Sequence, residues 1–257
     1  MTENWITHVT EPERLILAWQ APDEFKDRTR FAVGELTCVS GTVRLRYYRG
    51  DEFARLNPDR SYEQLKSFGY RGYPGFSLEK TEHTTGVIEA FMRRLPPRSR
   101  PDFKDYLRHL RVLPQLDLSD FALLSLSEAY LPSDGFSLVD PLTPDGRRRE
   151  LLLEVAGYRY YALKSEAALP SVGEAVAIVP EPGNPFDANA VQVLFGSNKI
   201  GNINRLQAES FLVWTREQRV RAVVDRANGS PTRPRLFLFV TVAGLEVDAS
   251  PPGVPPT

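Results

Sequence analysis

The sequence predicts two domains: an N-terminal α+β unit with a short antiparallel sheet, then a small β-barrel with one or two helices. Three observations lead there. The 257 residues exceed the roughly 100 to 150 of one ordinary domain. The stretch Asp134 to Arg149 (DGFSLVDPLTPDGRRR) is rich in Gly, Pro, Asp and Arg and lacks periodicity, which reads as an inter-domain connection. Before it, strand signals are followed by helices; after it, about six short strand signals surround a single helix. The boundaries drawn are 1–148, 149–248 and a disordered Pro-rich tail over 249–257.

Taken in order, Arg30 to Leu36 (RFAVGEL) and Val43 to Tyr48 (VRLRYY) are short apolar or alternating runs split by Ser40-Gly41, a hairpin signal. Tyr62 to Phe68 is a short helix candidate leading into Gly69 to Phe76 (GYRGYPGF). That segment reads equally as a docking or base-stacking loop built on Tyr70, Tyr73 and Phe76, or as a packed aromatic loop. Thr85 to Arg94 sets Val87, Ile88, Phe91 and Leu95 at helical spacing. Arg100-Pro101-Asp102 opens a further helix through Leu110, and Ser119 caps another carrying Phe121, Leu123, Leu124 and Leu126.

In the second half, Leu151 to Val155 with Tyr158 to Tyr161, Gly173 to Pro180, Ala190 to Phe195, Lys199 to Ile203, Arg219 to Val224 and Leu236 to Val242 are predicted strands. A helix fits between Asn204 and Gln218, with Leu206, Ser210, Phe211 and Trp214 on one face.

Composition removes several function classes. No apolar run approaches the roughly 20 residues of a membrane span, and the N-terminus lacks a signal-peptide layout, so the chain reads as cytoplasmic with no membrane partner. One cysteine and three histidines far apart in sequence (His8, His83, His109) cannot make a zinc finger or a disulfide framework. The two histidines His83 and His109 are expected at the surface, Cys38 in the core, and Asp225-Arg226 as a solvated turn pair. A net charge of -1 argues against bulk coating of nucleic acid and leaves room only for a local site. Of the 32 basic residues six are lysine, so the positive charge is mostly arginine, whose planar fork suits phosphate and stacking, although codon bias is the plainer reading of that excess.

The order VGEL, RYYRGDEF, Phe91 with RRLPPRSRPDF, then DFALLSLSEA, over residues 30–130, resembles the N-terminal subdomain of HipA-type toxin kinases. Leu131-Pro132-Ser133-Asp134-Gly135 stands where that family has a glycine pair, and GYRGYPGF where it has a serine-leucine-proline segment. No kinase body follows: the chain has no glycine-rich phosphate loop, no catalytic Asp followed by Asn and no D-F-G. The resemblance implies an interaction domain rather than a kinase.

Four ordered pieces of the second half, AGYRYY (156–161), PEPGNPFDANA (180–190), KIGNIN (199–204) and the following helix, resemble a HIRAN domain, a module that also stands alone in bacteria and phages. The specific piece is N-P-[YF]-D-x-N-A between two strands with I-G downstream. The resemblance implies a modified oligonucleotide-binding-type barrel that captures the free 3′-hydroxyl end of single-stranded DNA. By that resemblance Arg159 contacts phosphate, Tyr160 offers a ring face to a base, Asn184 donates to phosphate, and Phe186 keeps a ring without a hydroxyl. Asp187, an acceptor when ionised, accepts from a 3′-hydroxyl and repels a 3′-phosphate. Asn202 stands at a position often aromatic or His, and Arg205 at one often basic and phosphate-binding.

Plainer readings accompany these roles. Asp187 and Asn189 can bond backbone in an Asx-type turn, Asn202 can cap the helix, and Tyr161 can belong to the core. The functional expectation is a non-enzymatic protein, without metal or cofactor, that binds single-stranded DNA 3′ ends through residues 149–248 and a protein partner through residues 1–148. The alternative is a toxin-antitoxin-like or repair-associated protein-interaction factor in which DNA binding is secondary. A nuclease is disfavoured because two-metal chemistry needs clustered carboxylates, and the second half has none so spaced.

Overall fold

A computed structural model describes residues 4–22, 24–25, 30–131, 133–164 and 168–245. The predicted tail over 249–257 lies outside the described residues. In the first half, strands β1 (Arg14–Gln20), β2 (Arg30–Val39) and β3 (Thr42–Tyr47) precede helices α1 (Gly50–Leu56) and α2 (Tyr62–Ser67). A short β4 (Glu82–His83), helices α3 (Val87–Met92), α4 (Phe103–His109) and α5 (Asp120–Ser127), and β5 (Phe136–Val139) follow. The five strands form one antiparallel sheet in the order β4-β3-β2-β1-β5. The hairpin between β2 and β3 turns at Ser40-Gly41, as its sequence requires. Ser119 caps α5, its hydroxyl accepting from Ala122 N–H at 2.9 Å, and Ser61 caps α2 in the same way at 3.0 Å.

The predicted connection Asp134–Arg149 is only partly one. Its Phe136 to Val139 segment is β5, all four residues buried and paired with β1. A strand covered on both faces has no polar alternation, so the period-2 signal was absent. The GYRGYPGF loop is packed rather than offered for docking: Tyr70 and Tyr73 are buried, and Tyr73 stacks on Phe91 with ring centroids 4.2 Å apart. Tyr47 Oη ties the loop down, donating to Phe76 O and accepting from Tyr73 N–H. Cys38, expected in the core, lies exposed near the end of β2.

The second half contains β6 (Arg149–Glu154), α6 (Tyr158–Lys164), β7 (Ala175–Pro180), β8 (Val191–Phe195), β9 (Asn198–Asn202), α7 (Ala208–Arg216), β10 (Val220–Ser230) and β11 (Arg233–Val242). Its antiparallel sheet runs β6-β11-β10-β7-β8-β9. The sheet curls into a half-barrel until its two ends meet: Ala156, just past β6, exchanges both backbone hydrogen bonds with Asn202 at the end of β9, at 2.8 and 2.9 Å. Inside lie Val191, Val193, Leu236, Leu238 and Val240, plugged by Phe211 and Trp214 of α7. Tyr158 to Tyr161, predicted as strand, is the helix α6, because the chain must turn over the barrel end immediately after its closing bridge.

The two halves share a seam. Leu152, Phe239 and Val223 are register neighbours across β6, β11 and β10, and this outward row packs on the first core. Polar groups seal its rim. The Glu150 side chain, 2% exposed, accepts from Thr7 and His8 N–H at 3.0 and 2.9 Å and from Arg148. Asp225 is not a solvated turn residue: it sits in β10 at a bulge, 3% exposed at the side chain, and accepts from Arg111 Nε at 2.7 Å. Arg226 beside it donates to His109 O, with the His109 ring exposed as expected; His83 is half-buried instead.

Two predictions follow from this packing. A Cβ at Gly201 would meet the Val155 side chain at Cγ1 and would lie 2.7 Å from Ala156 O, a backbone atom fixed by the closing bridge. Gly201→Ala should therefore destabilise the protein by about 1 to 3 kcal/mol in urea denaturation, the scale of overpacking. The second concerns Glu150, whose carboxyl burial pushes up while the N–H groups of Thr7 and His8, with His8 and Arg148, more than offset it, leaving its pKa below the ordinary 4.5. A lowered folded pKa means stability present above the ordinary value and lost as pH falls through the folded one. Glu150→Gln should cost about 1 to 3 kcal/mol at neutral pH, and the difference from the unsubstituted protein should shrink below pH 4.5.

Candidate nucleic-acid interface

Of the predicted residues, Asn184 and Asn202 meet where the half-barrel closes, on Glu181, a residue the sequence expectation did not include. The strand β7 ends at Pro180, and the turn 181–190 leads to β8; Glu181 N–H donates to Ala190 O at its base. The Glu181 carboxylate accepts from Asn184 Nδ2 at 2.7 Å, from Lys199 Nζ at 2.7 Å on both oxygens, and from Asn202 Nδ2 at 3.1 Å. Burial alone would raise its pKa, but these donors more than offset it and hold the group below the ordinary glutamate value.

Asn184 does not offer two free donors to phosphate. One N–H is committed to Glu181, and its Oδ1 accepts from the N–H groups of Phe186 and Asp187 at 2.9 and 3.1 Å. This Asx-type arrangement turns the backbone so that Phe186 projects outward, 85% exposed. Asp187 Oδ1 accepts from Asn189 N–H at 2.9 Å, so the turn role and an open second oxygen coexist in one carboxylate: Oδ2 makes no hydrogen bond among the described residues.

Asn202 is not a helix cap. It lies in β9, carries the closing bridge, and turns its amide to Glu181 and Val191 O. The Asx turn before α7 belongs to Asn204, whose Oδ1 accepts from Leu206 N–H at 3.1 Å.

Arg159 and Tyr160 stand on the outer side of α6, which packs on β9 and β11. Arg159 is exposed and makes no hydrogen bond or ion pair among the described residues. Tyr160 is 58% exposed; Lys164 Nζ lies 4.0 Å from its ring centroid and, by hydrogen bond and charge, holds the phenol below its ordinary pKa. Tyr161, expected in the core, is half-buried between the Tyr160 edge (centroids 5.2 Å apart) and Lys199 Nζ (5.3 Å from its centroid). The sequence Tyr160, Tyr161, Lys199, Glu181, Asn184 is thus one contact chain from helix to turn.

Arg205, expected as a phosphate contact, is engaged in the seam. It clamps the seam, its Nη1 donating to Leu56 O at 2.6 Å at the end of α1, and its Nη2 to Arg30 O at 3.3 Å and Asn57 Oδ1 at 3.5 Å. Burial lowers its pKa, with the charge of Asp187 opposing that shift. Elsewhere too arginine is used structurally: Arg94 grips Asp134 with both Nη atoms, and Arg46 pairs with Glu35 and Glu52. No group of three or more His, Cys, Asp or Glu side chains arranged to hold a metal occurs among the described residues. No described helix is long and apolar enough to cross a membrane.

No family model matches the chain, and no curated protein does. The proposed likeness of residues 30–130 to the HipA N-terminal subdomain gains no support from these comparisons. Two solved structures are similar to part of the chain. One is the HIRAN domain of human HLTF, 26% identical over 38% of this chain and 77% of that one, with a TM-score of 0.32. The other is a protein from Lactobacillus plantarum, 22% identical over 37% of this chain and 99% of that one, with a TM-score of 0.28.

Proposed function

We propose that this chain is a non-enzymatic DNA-binding protein that captures the 3′ end of single-stranded DNA at the closing end of its half-barrel. The observation that carries the reading is the pair of exposed rings, Phe186 at 85% and Tyr160 at 58%, on two elements joined through Glu181 and Lys199. An exposed aromatic ring presents a flat face, and unpaired bases are flat partners that stack on such faces. Beside them, Arg159 has an uncommitted guanidinium for a phosphate, and Asp187 Oδ2 an uncommitted acceptor for a terminal hydroxyl. The motif resemblance of residues 180–190 points to the same ligand. The first half serves as a platform for a protein partner and braces the barrel through the Arg205 clamp.

Fluorescence anisotropy with single-stranded oligonucleotides tests this. Arg159→Ala, Tyr160→Ala and Phe186→Ala should each weaken binding by about 1 to 3 kcal/mol, the scale of one charged contact or one stacked base. Unchanged affinity in all three would move the site elsewhere and leave the protein-interaction reading. The unsubstituted protein should favour a 3′-hydroxyl over a 3′-phosphate end, because the phosphate would bring like charge to Asp187. Asp187→Asn keeps the shape and the Asn189 hydrogen bond, and should abolish that preference while leaving internal binding intact, measured at one fixed salt concentration.

A further inference from the structure

Among the described residues, the Glu181 carboxylate touches the turn, the closing strand and, through one lysine, the aromatic helix. On the turn side its partner is Asn184, and an amide has two chemically different ends. A carboxylate only accepts, so it takes the NH2 end of Asn184 and leaves Oδ1 facing the backbone N–H groups of Phe186 and Asp187. With the amide reversed, both N–H groups would face a donor, and the turn that aims Phe186 and Asp187 would lose its two central hydrogen bonds. On the helix side, Lys199 Nζ bonds both Glu181 oxygens and also faces the Tyr161 ring, which meets Tyr160 edge-on. Asn202 adds a third donor at the barrel-closing bridge.

We propose that Glu181 is a positioning residue for strand-end recognition: by orienting Asn184 and holding Lys199 beneath Tyr161, it keeps Asp187 and the two exposed rings in one fixed arrangement. The proposal rests on the 3′-end reading above and names the group on which discrimination, rather than bulk affinity, depends. Glu181 does not touch the nucleic acid. Its substitution should therefore change how well two ends are told apart more than how tightly a strand interior is held.

Glu181→Gln is the direct test, since the neutral amide cannot accept from all three donors and presents its own NH2 to Lys199 or Asn184. The ratio of affinities for 3′-hydroxyl and 3′-phosphate oligonucleotides should fall by about tenfold, the scale of a lost charge-assisted hydrogen bond. Binding to a circular single strand, which has no end, should change by less than about twofold. Glu181→Asp keeps the charge but withdraws it by one methylene, so it should give an intermediate ratio; it also carries the test if Glu181→Gln fails to fold by circular dichroism. A ratio unchanged in a folded Glu181 variant, with only thermal stability lowered, would overturn the positioning role while leaving the 3′-end reading standing. Equal binding of both ends by the unsubstituted protein would instead overturn the 3′-end reading, and with it the role assigned to Glu181.

Discussion

Two backbone hydrogen bonds between Ala156 and Asn202 close the second sheet, and the candidate site depends on them. They bring the chain after β6 against the end of β9, which forces α6 to fold back across the barrel mouth. The approach is possible because residue 201 has no side chain where Val155 and Ala156 O lie. The same bridge places the Asn202 amide beside Glu181, so a constraint that shapes the barrel also supplies a donor to the carboxylate organising the turn. Architecture and site meet at one register position.

The seam is the second organising feature. Its apolar row, Leu152, Phe239 and Val223, is the outer face of strands whose inner face fills the barrel, so one sheet is buried on both sides at this point. At its edges the charged groups are paired: Glu150 with the backbone of Thr7 and His8, Asp225 with Arg111, Arg205 with carbonyls of Arg30 and Leu56. Buried ionic groups of this kind add little net stability but strongly penalise any docking that leaves one unpaired. The seam therefore selects one relative placement of the halves.

Much of the secondary structure was legible locally. Ser119 before an apolar run marked a helix start, Ser40-Gly41 marked a hairpin, and the alternating runs of the second half marked its strands. Elements buried on both faces were not. Both β1 (RLILAWQ) and β5 (FSLV) lack the polar alternation of a half-exposed strand, and the predicted elements contained neither. Within the site, N-P-F-D-A-N-A correctly suggested an outward-facing turn, and the Asp187 to Asn189 hydrogen bond is a local consequence of that sequence. Glu181 escaped notice because its partners Lys199 and Asn202 are 18 and 21 residues away, and no local pattern distinguishes it from a solvated turn glutamate.

By itself, the sequence determined what short-range sterics and hydrogen bonding decide: the hairpin turn, the serine caps and the alternating strands. Only the tertiary structure decided which charges are spent and which remain available. Asp225 reads in sequence as a solvated turn residue, Arg205 as a phosphate contact and Asn202 as a site residue or helix cap, yet each is committed to a partner brought near by the seam or by barrel closure. Arg159, read like Arg205 as a phosphate contact, makes no hydrogen bond or ion pair among the described residues. The physical reason is range: a side chain's propensity acts over a few residues, whereas the desolvation and pairing of a charge depend on whatever the fold places within about 4 Å of it.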